Sequence, residues 1–138
     1  MAAYPAPYLL DFPGFGAPDT GHISVAQGLL PPLPFAVQRV FWTYGTPESI
    51  LRGRHAHFRT EQVLVAVAGR IIVTTEQADG RIATFRLENP AVGIYLPPCV
   101  WHTMQYSHSA VQLGLASTPF EEADYIRSYE QFRQVWPV

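Results

Sequence analysis

Five histidines, His22, His55, His57, His102 and His108, are the residues of this chain best suited to proton chemistry. An unperturbed imidazole titrates near pH 6.5, so around neutrality it can take or give a proton. Two of the five stand in Arg52-Gly53-Arg54-His55-Ala56-His57. On a β-strand, side chains at i and i+2 share a face, about 6.6–6.8 Å apart. That places His55 and His57 on one face and Arg54 and Ala56 on the other. Sending Arg54 into a small apolar core carries a large desolvation cost, so the spacing predicts that the two histidines point inward. A third histidine closes Pro97-Pro98-Cys99-Val100-Trp101-His102. His22 and His108 have no supporting motif and are read as surface residues. Cys99 has no adjacent base to activate it, which argues against a nucleophilic role.

The elements that must position these residues are short. Thirteen prolines and ten glycines punctuate the chain, and between them lie runs rich in Val, Ile, Phe, Tyr and Thr. These predict strands over Gly21–Gln27, Phe35–Tyr44, Gly53–His57, Gln62–Ala68, Arg70–Glu76, Ile82–Leu87, Gly93–Leu96, Val100–Tyr106 and Ala110–Ser117. Ala78-Asp79-Gly80 reads as a hairpin turn. Pro31-Pro32, Thr46-Pro47, Asn89-Pro90 and Pro97-Pro98 read as loops. Many short strands spaced by turns predict an all-β barrel or sandwich. The sequence divides into an irregular segment over 1–18, the β-domain over 19–117, and a helical segment over 118–138 that packs on it. In the last, Thr118-Pro119-Phe120-Glu121 has the form of an N-cap, a first-turn proline and a capping-box glutamate. From there to Gln134 the pattern suits one helix or two short ones, with Tyr125, Tyr129 and Phe132 on one helix face.

Composition narrows the classes of function. The chain has 138 residues, about one domain. Apolar residues make up 48 % and charged ones 14 %, enough for a packed core and against disorder. Nine arginines and eleven acidic residues leave a net charge of −2, unlike a protein built to neutralise nucleic-acid phosphates. There is no lysine, which excludes Schiff-base and P-loop chemistry. One cysteine allows neither an intrachain disulfide nor a zinc site with two thiolates. No apolar run approaches the roughly 20 residues of a membrane span, and the first residues lack the features of a signal peptide. A cytoplasmic protein acting on neither nucleic acid nor membrane is expected.

The His-Ala-His pair and the later Pro97-to-His102 segment together resemble the two signature motifs of the cupin superfamily. Metal-binding cupins add a glutamate seven positions before a glycine. Counting seven back from Gly69 gives Gln62, and the neighbouring Glu61 falls on the opposite strand face. Cys99 stands where the second motif has glycine. Three neutral imidazoles can still hold zinc or iron, but an amide in place of a carboxylate weakens the attraction. The expectation is therefore a cupin without a metal or other cofactor, whose histidines act as acids and bases.

The likeness extends over roughly residues 19–132 to one family, the nucleotide-sugar 3,4-ketoisomerases that act on dTDP-4-keto-6-deoxyglucose. It is carried by Leu33-Pro34-Phe35-Ala36-Val37-Gln38-Arg39-Val40-Phe41, by Arg52 to His57, by Glu61-Gln62-Val63-Leu64-Val65 and by Pro90 to Pro97. Val100-Trp101-His102-Thr103-Met104, Leu115-Ala116-Ser117 and Glu122 to Phe132 complete it. The resemblance implies a metal-independent cupin jelly roll with a short C-terminal helix, assembled as a strand-exchanging homodimer. It implies that His55 and His57 carry the proton transfer. Family members place a basic or aromatic residue before the glycine of the first strand; here that position is Thr20, with His22 two residues on.

Moving a carbonyl from C4 to C3 requires a proton off C3, an enediol, and a proton onto C4, while the oxygen protons move the other way. Two histidines can divide that work. The developing enediolate needs electrostatic support, for which Arg52, His102 and Tyr95 are the candidates. Arg39 is a candidate for the diphosphate, and Trp42 and Tyr44 for stacking on thymine. Two other readings follow from the same residues: a metal-dependent cupin enzyme, and a nucleotide-sugar-binding cupin without turnover.

Overall fold

The computed structural model describes residues 4–28 and 32–137. Pro31 of the Pro31-Pro32 loop and the extreme ends of the two outer segments lie outside them. The described residues form twelve strands and one short α-helix, the predicted all-β architecture. Two five-stranded sheets face each other. The first has the order β1 (Tyr8–Asp11), β9 (Val92–Leu96), β6 (Gln62–Ala68), β11 (Val111–Ala116), β4 (Arg39–Tyr44). The second runs β12 (Tyr125–Ile126), β5 (Leu51–His57), β10 (Val100–Tyr106), β7 (Ile71–Gln77), β8 (Ile82–Leu87). β2 (Gly14–Ala17) and β3 (Gly21–Ser24) make a separate hairpin. All pairings are antiparallel. No helix among the described residues is long and apolar enough to cross a membrane.

Alternation along the strands sorts the side chains into three cores. Leu64, Ile71, Val73, Leu87, Ile94 and Tyr106 fill the space between the sheets. On the outer face of the first sheet, Val63, Val65, Tyr95 and Leu115 pack beneath Leu10, Phe12, Leu33 and Phe35. On the outer face of the second, Ala56 and Ile126 are covered by Phe132 of α1 (Tyr129–Val135), with Trp101 and Trp136 beside them.

The two ends of the chain differ from expectation. Residues 1–18 are not irregular throughout, because β1 and β2 lie within them. β1 pairs with β9 and adds an edge to the first sheet, so Tyr8-Leu9-Leu10 gains backbone partners that a local reading of a Pro- and Gly-rich stretch does not supply. At the other end the helix does not begin at Thr118. Glu122–Asp124 form one 3₁₀ turn, Tyr125–Ile126 pair with His57 and Ala56, and α1 starts only at Tyr129, capped by Ser128. Tyr125 therefore belongs to a strand, while Tyr129 and Phe132 share the helix. Tertiary pairing wins here because β5 would otherwise expose its backbone along an edge. The remaining strands stand where expected, with ends shifted by a few residues: the first begins at Gly21 but ends at Ser24, and the second begins at Arg39.

Candidate active site

His55 and His57 point into the space between the sheets, as their spacing requires, and β10 brings His102 directly opposite His55. One ring nitrogen from each lies within 4.8 Å of the other two. Each Nδ1 is already engaged. His55 donates to the Gly53 carbonyl at 3.0 Å and His102 to the Val100 carbonyl at 3.2 Å. His57 donates to the Asp124 carboxylate at 3.1 Å. Because a carbonyl or carboxylate only accepts, each ring carries its proton on Nδ1 and offers Nε2 as a lone pair. The Gln62 amide approaches Nε2 of His57 at 3.4 Å, and Nε2 of His102 is buried without a partner.

Burial dominates the protonation of the cluster. Desolvation by burial pulls His102 well below its usual pKa, reinforced by the two neighbouring imidazoles and only partly opposed by its bond to the Val100 carbonyl. Burial, then His55, lowers His57 to about 4, against an opposing pull from Asp124. His55 is lowered for the same first reason, but its ring stays partly open to solvent. Near neutral pH the cluster is a set of neutral acceptors. Burial pushes the Asp124 carboxyl up, but bonds from the Thr60 hydroxyl and the Arg59 and Thr60 amides, with His57 nearby, outweigh it and hold the group ionised.

A β-bulge arranges this face of β5. Gly53 and Arg54 both have positive φ, 82° and 56°, and the β5–β10 register shifts at this point. A Cβ at Gly53 would lie 2.9 Å from the His102 carbonyl, so the position needs glycine for space as well as conformation. Beyond the bulge Arg52 is opposite Met104, on the same side of the sheet, but its side chain is exposed at the rim. Strict alternation would have sent it outward.

Around the imidazoles the wall is aromatic and cationic. The Tyr125 ring lies 4.3 Å from His57 and 5.2 Å from His55, centroid to centroid. Its hydroxyl accepts from Nη1 of Arg39 at 3.2 Å, and the Arg127 guanidinium lies over its ring, 4.1 Å from the centroid. The Nε of Arg39 is buried without a partner.

The family model FdtA: WxcM-like, C-terminal matches residues 7–136. The chain belongs to that family. A curated relative of this FdtA-family chain, the TDP-4-oxo-6-deoxy-alpha-D-glucose-3,4-oxoisomerase of Aneurinibacillus thermoaerophilus, is 41 % identical over 104 residues, 74 % of this chain and 73 % of that one. Among solved structures, a mutant of the 3,4-ketoisomerase QdtA from Thermoanaerobacterium thermosaccharolyticum, in complex with TDP-4-keto-6-deoxyglucose, superposes with a TM-score of 0.88. It is 27 % identical, with 97 % of this chain and 96 % of that one covered. A 3,4-ketoisomerase from Helicobacter canadensis gives a TM-score of 0.88 at 26 % identity, covering 96 % and 98 %.

Within this FdtA-family fold the expected site residues separate. His55, His57 and His102 converge and Arg39 reaches them through Tyr125, whereas Arg52 is exposed and level with Met104, one step along the sheet from the histidines. Tyr95 does not join them. It follows Ile94 on β9, so it turns to the outer face of the first sheet, packs against Tyr8 at 5.0 Å, and donates to Glu61 at 2.7 Å. Trp42 and Tyr44 also face outward, 62 % and 69 % exposed, because on β4 it is Arg39 and Phe41 that point in. Neither touches the histidines of its own chain. Gln62 faces His57 while Glu61 is on the opposite face, as the one-residue step demands. The three Nε2 atoms are a donor set that zinc or iron accepts, but the fourth inward group is the Gln62 amide rather than an anion. Asp124 and Tyr125 were missed by sequence reasoning, which put both on a helix. The nearest signal was the match of the Asp124-Tyr125-Ile126-Arg127 run to the family.

Proposed function

We propose that the protein is a nucleotide-sugar 3,4-ketoisomerase that converts dTDP-4-keto-6-deoxyglucose to a 3-keto-6-deoxyhexose. The observation that carries this reading is the cluster of three neutral imidazoles with anchored Nδ1 atoms, in a chain of this family. His55 and His57 are the catalytic pair: one moves the carbon-bound proton and the other serves the two oxygens. His102, whose lone pair is unpartnered in the barrel, shapes the site for the enediol and receives a hydroxyl proton as a hydrogen bond. Arg52 supports the oxyanion, and Arg39, with a buried unpartnered Nε, binds the diphosphate. No step requires a metal or cofactor.

The working form is a homodimer with strand exchange, in the cytoplasm. β4 is the edge of its sheet and carries the outward row Val40, Trp42 and Tyr44, all exposed. Leu113 lies opposite Trp42 and belongs to the wall of an adjoining cleft of about 860 Å³ with Val65, Val67 and Val25. A second chain on that face would bury this surface and could bring Trp42 and Tyr44 to the nucleotide. Light scattering at micromolar concentration is expected to give twice the chain mass; a monomer overturns this part.

The deciding experiment is NMR of chelator-treated protein with dTDP-4-keto-6-deoxyglucose in D₂O. The carbonyl carbon is expected to move from C4 to C3, with deuterium entering the ring. Turnover that appears only on adding a divalent metal would establish the metal-dependent cupin instead. Tight binding without exchange would establish a binding module.

A further inference from the structure

Of the three imidazoles, two lean on neutral backbone carbonyls and one leans on an ion. That ion is Asp124, buried to 3 % exposure. The carboxylate is assembled by the end of the chain: the 3₁₀ turn Glu122–Asp124 delivers it, and β12 locks the turn against β5 through Tyr125 opposite His57. Its oxygens are then oriented by the Arg59 amide at 2.8 Å, the Thr60 amide at 3.2 Å and the Thr60 hydroxyl. Arg59 Nε stands 3.5 Å away, on an exposed side chain. Four donors, His57 included, thus converge on a carboxylate that faces the back of His57 and not the space where a sugar would sit.

We propose that Asp124 is a positioning residue for His57. Its carboxylate holds the Nδ1 proton, so Nε2 is the nitrogen presented to the substrate, and it offsets the charge when that nitrogen takes a proton. In that step the substrate's X–H bond breaks, its electron pair stays on the sugar, and the proton forms a new bond to Nε2. His57 becomes an imidazolium and Asp124 stays ionised. A backbone carbonyl, the partner of His55 and His102, fixes the tautomer but supplies no opposing charge. The three rings are therefore not equivalent. The other groups facing His57 are His55 on its own strand, His102 on β10, Gln62 on β6, Arg39 on β4 and Tyr125 on β12. None of them is an anion, so removing Asp124 leaves no substitute.

This inference rests on the ketoisomerase reading for its consequence but not for its test. Asp124→Asn keeps the volume and removes the charge. With ¹⁵N-labelled histidine and no substrate, the native His57 is expected to show a protonated Nδ1 and a bare Nε2. In D124N an Nε2–H population is expected to appear. In turnover of dTDP-4-keto-6-deoxyglucose, kcat is expected to fall by on the order of 100-fold with KM changed less than about threefold. The acid limb of kcat/KM moves to lower pH, and Asp124→Glu restores part of the rate. An unchanged tautomer and an unchanged acid limb in D124N overturn the proposal, whatever happens to the rate. Should D124N fail to fold, Thr60→Val loosens the same carboxylate, and about a tenfold loss of kcat with the Nε2–H signal appearing is expected. Native tautomer and rate in T60V then count against it. If native protein does not isomerise the sugar, the ketoisomerase reading fails, while the tautomer result still decides whether Asp124 orients His57.

Discussion

The space between the two sheets is divided into two layers of opposite character. One end holds Leu64, Val73, Met104, Ile71 and Tyr106. The other holds Gln62, Thr75 and His102, each two residues along the same strand from Leu64, Val73 and Met104, together with His57 of β5 and Arg39 of β4. Both layers are enclosed, yet the first is held by dispersion and the removal of apolar surface from water, while the second must satisfy each buried polar atom or bear the cost of leaving it unsatisfied. The polar layer leaves Nε2 of His102 and Nε of Arg39 without partners. In the ketoisomerase reading proposed above, a bound sugar nucleotide supplies the missing hydrogen bonds.

The sharpest way to break this comparison is to remove one group from each layer. His57→Asn is expected to lower turnover by about 10²–10⁴-fold and to leave the fold intact by circular dichroism. Leu64→Ala is expected to cost about 2–5 kcal/mol of stability in denaturant unfolding while folded protein retains its kcat. Exchanged phenotypes would mean that the two layers are not functionally distinct.

Acid separates the layers next. Burial holds the folded-state pKa values of His55, His57 and His102 below the ordinary value, at about 4 for His57. The unfolded chain, titrating near 6.5, binds these protons first. The stability associated with the neutral rings is complete above about pH 6.5 and is lost as pH falls toward about 4. The thermal midpoint is expected to drop between pH 7 and pH 5, and to drop less in His57→Asn. An equal drop in both would show that other groups carry the titration.

The smallest effect concerns the turn that leads into β10. Cys99 has φ 65°, a left-handed conformation that costs a non-glycine residue about 1–2 kcal/mol. Its amide donates to the His57 carbonyl at 2.8 Å, which holds it there. Cys99→Gly is expected to raise stability by about 1 kcal/mol, after the greater chain entropy of glycine is deducted, with no change in turnover. A destabilised variant would show that the thiol's packing outweighs the backbone strain.

Local pattern made the barrel strands, the hairpin at Ala78-Asp79-Gly80, the inward histidine pair and the outward Glu61 legible, because strand alternation is a property of neighbours in sequence. The same rule applied to Tyr95 and Trp42 names their faces only once it is known which residues of β9 and β4 point inward. Both strands carry apolar side chains on both faces, so alternation had no contrast to read. The Gly53–Arg54 bulge, which sets Arg52 opposite Met104, is likewise invisible without the partner strand.

The sequence by itself determined the chemistry available: three histidines in strand segments, no lysine, one cysteine, and an amide where a carboxylate would favour a metal. Only the tertiary structure decided which acid would stand behind which histidine. Asp124 is 67 residues from His57, in a segment whose local preferences favour a helix. Its place was set by the unpaired edge of β5, whose backbone groups needed partners, and that demand does not appear in the residues around Asp124.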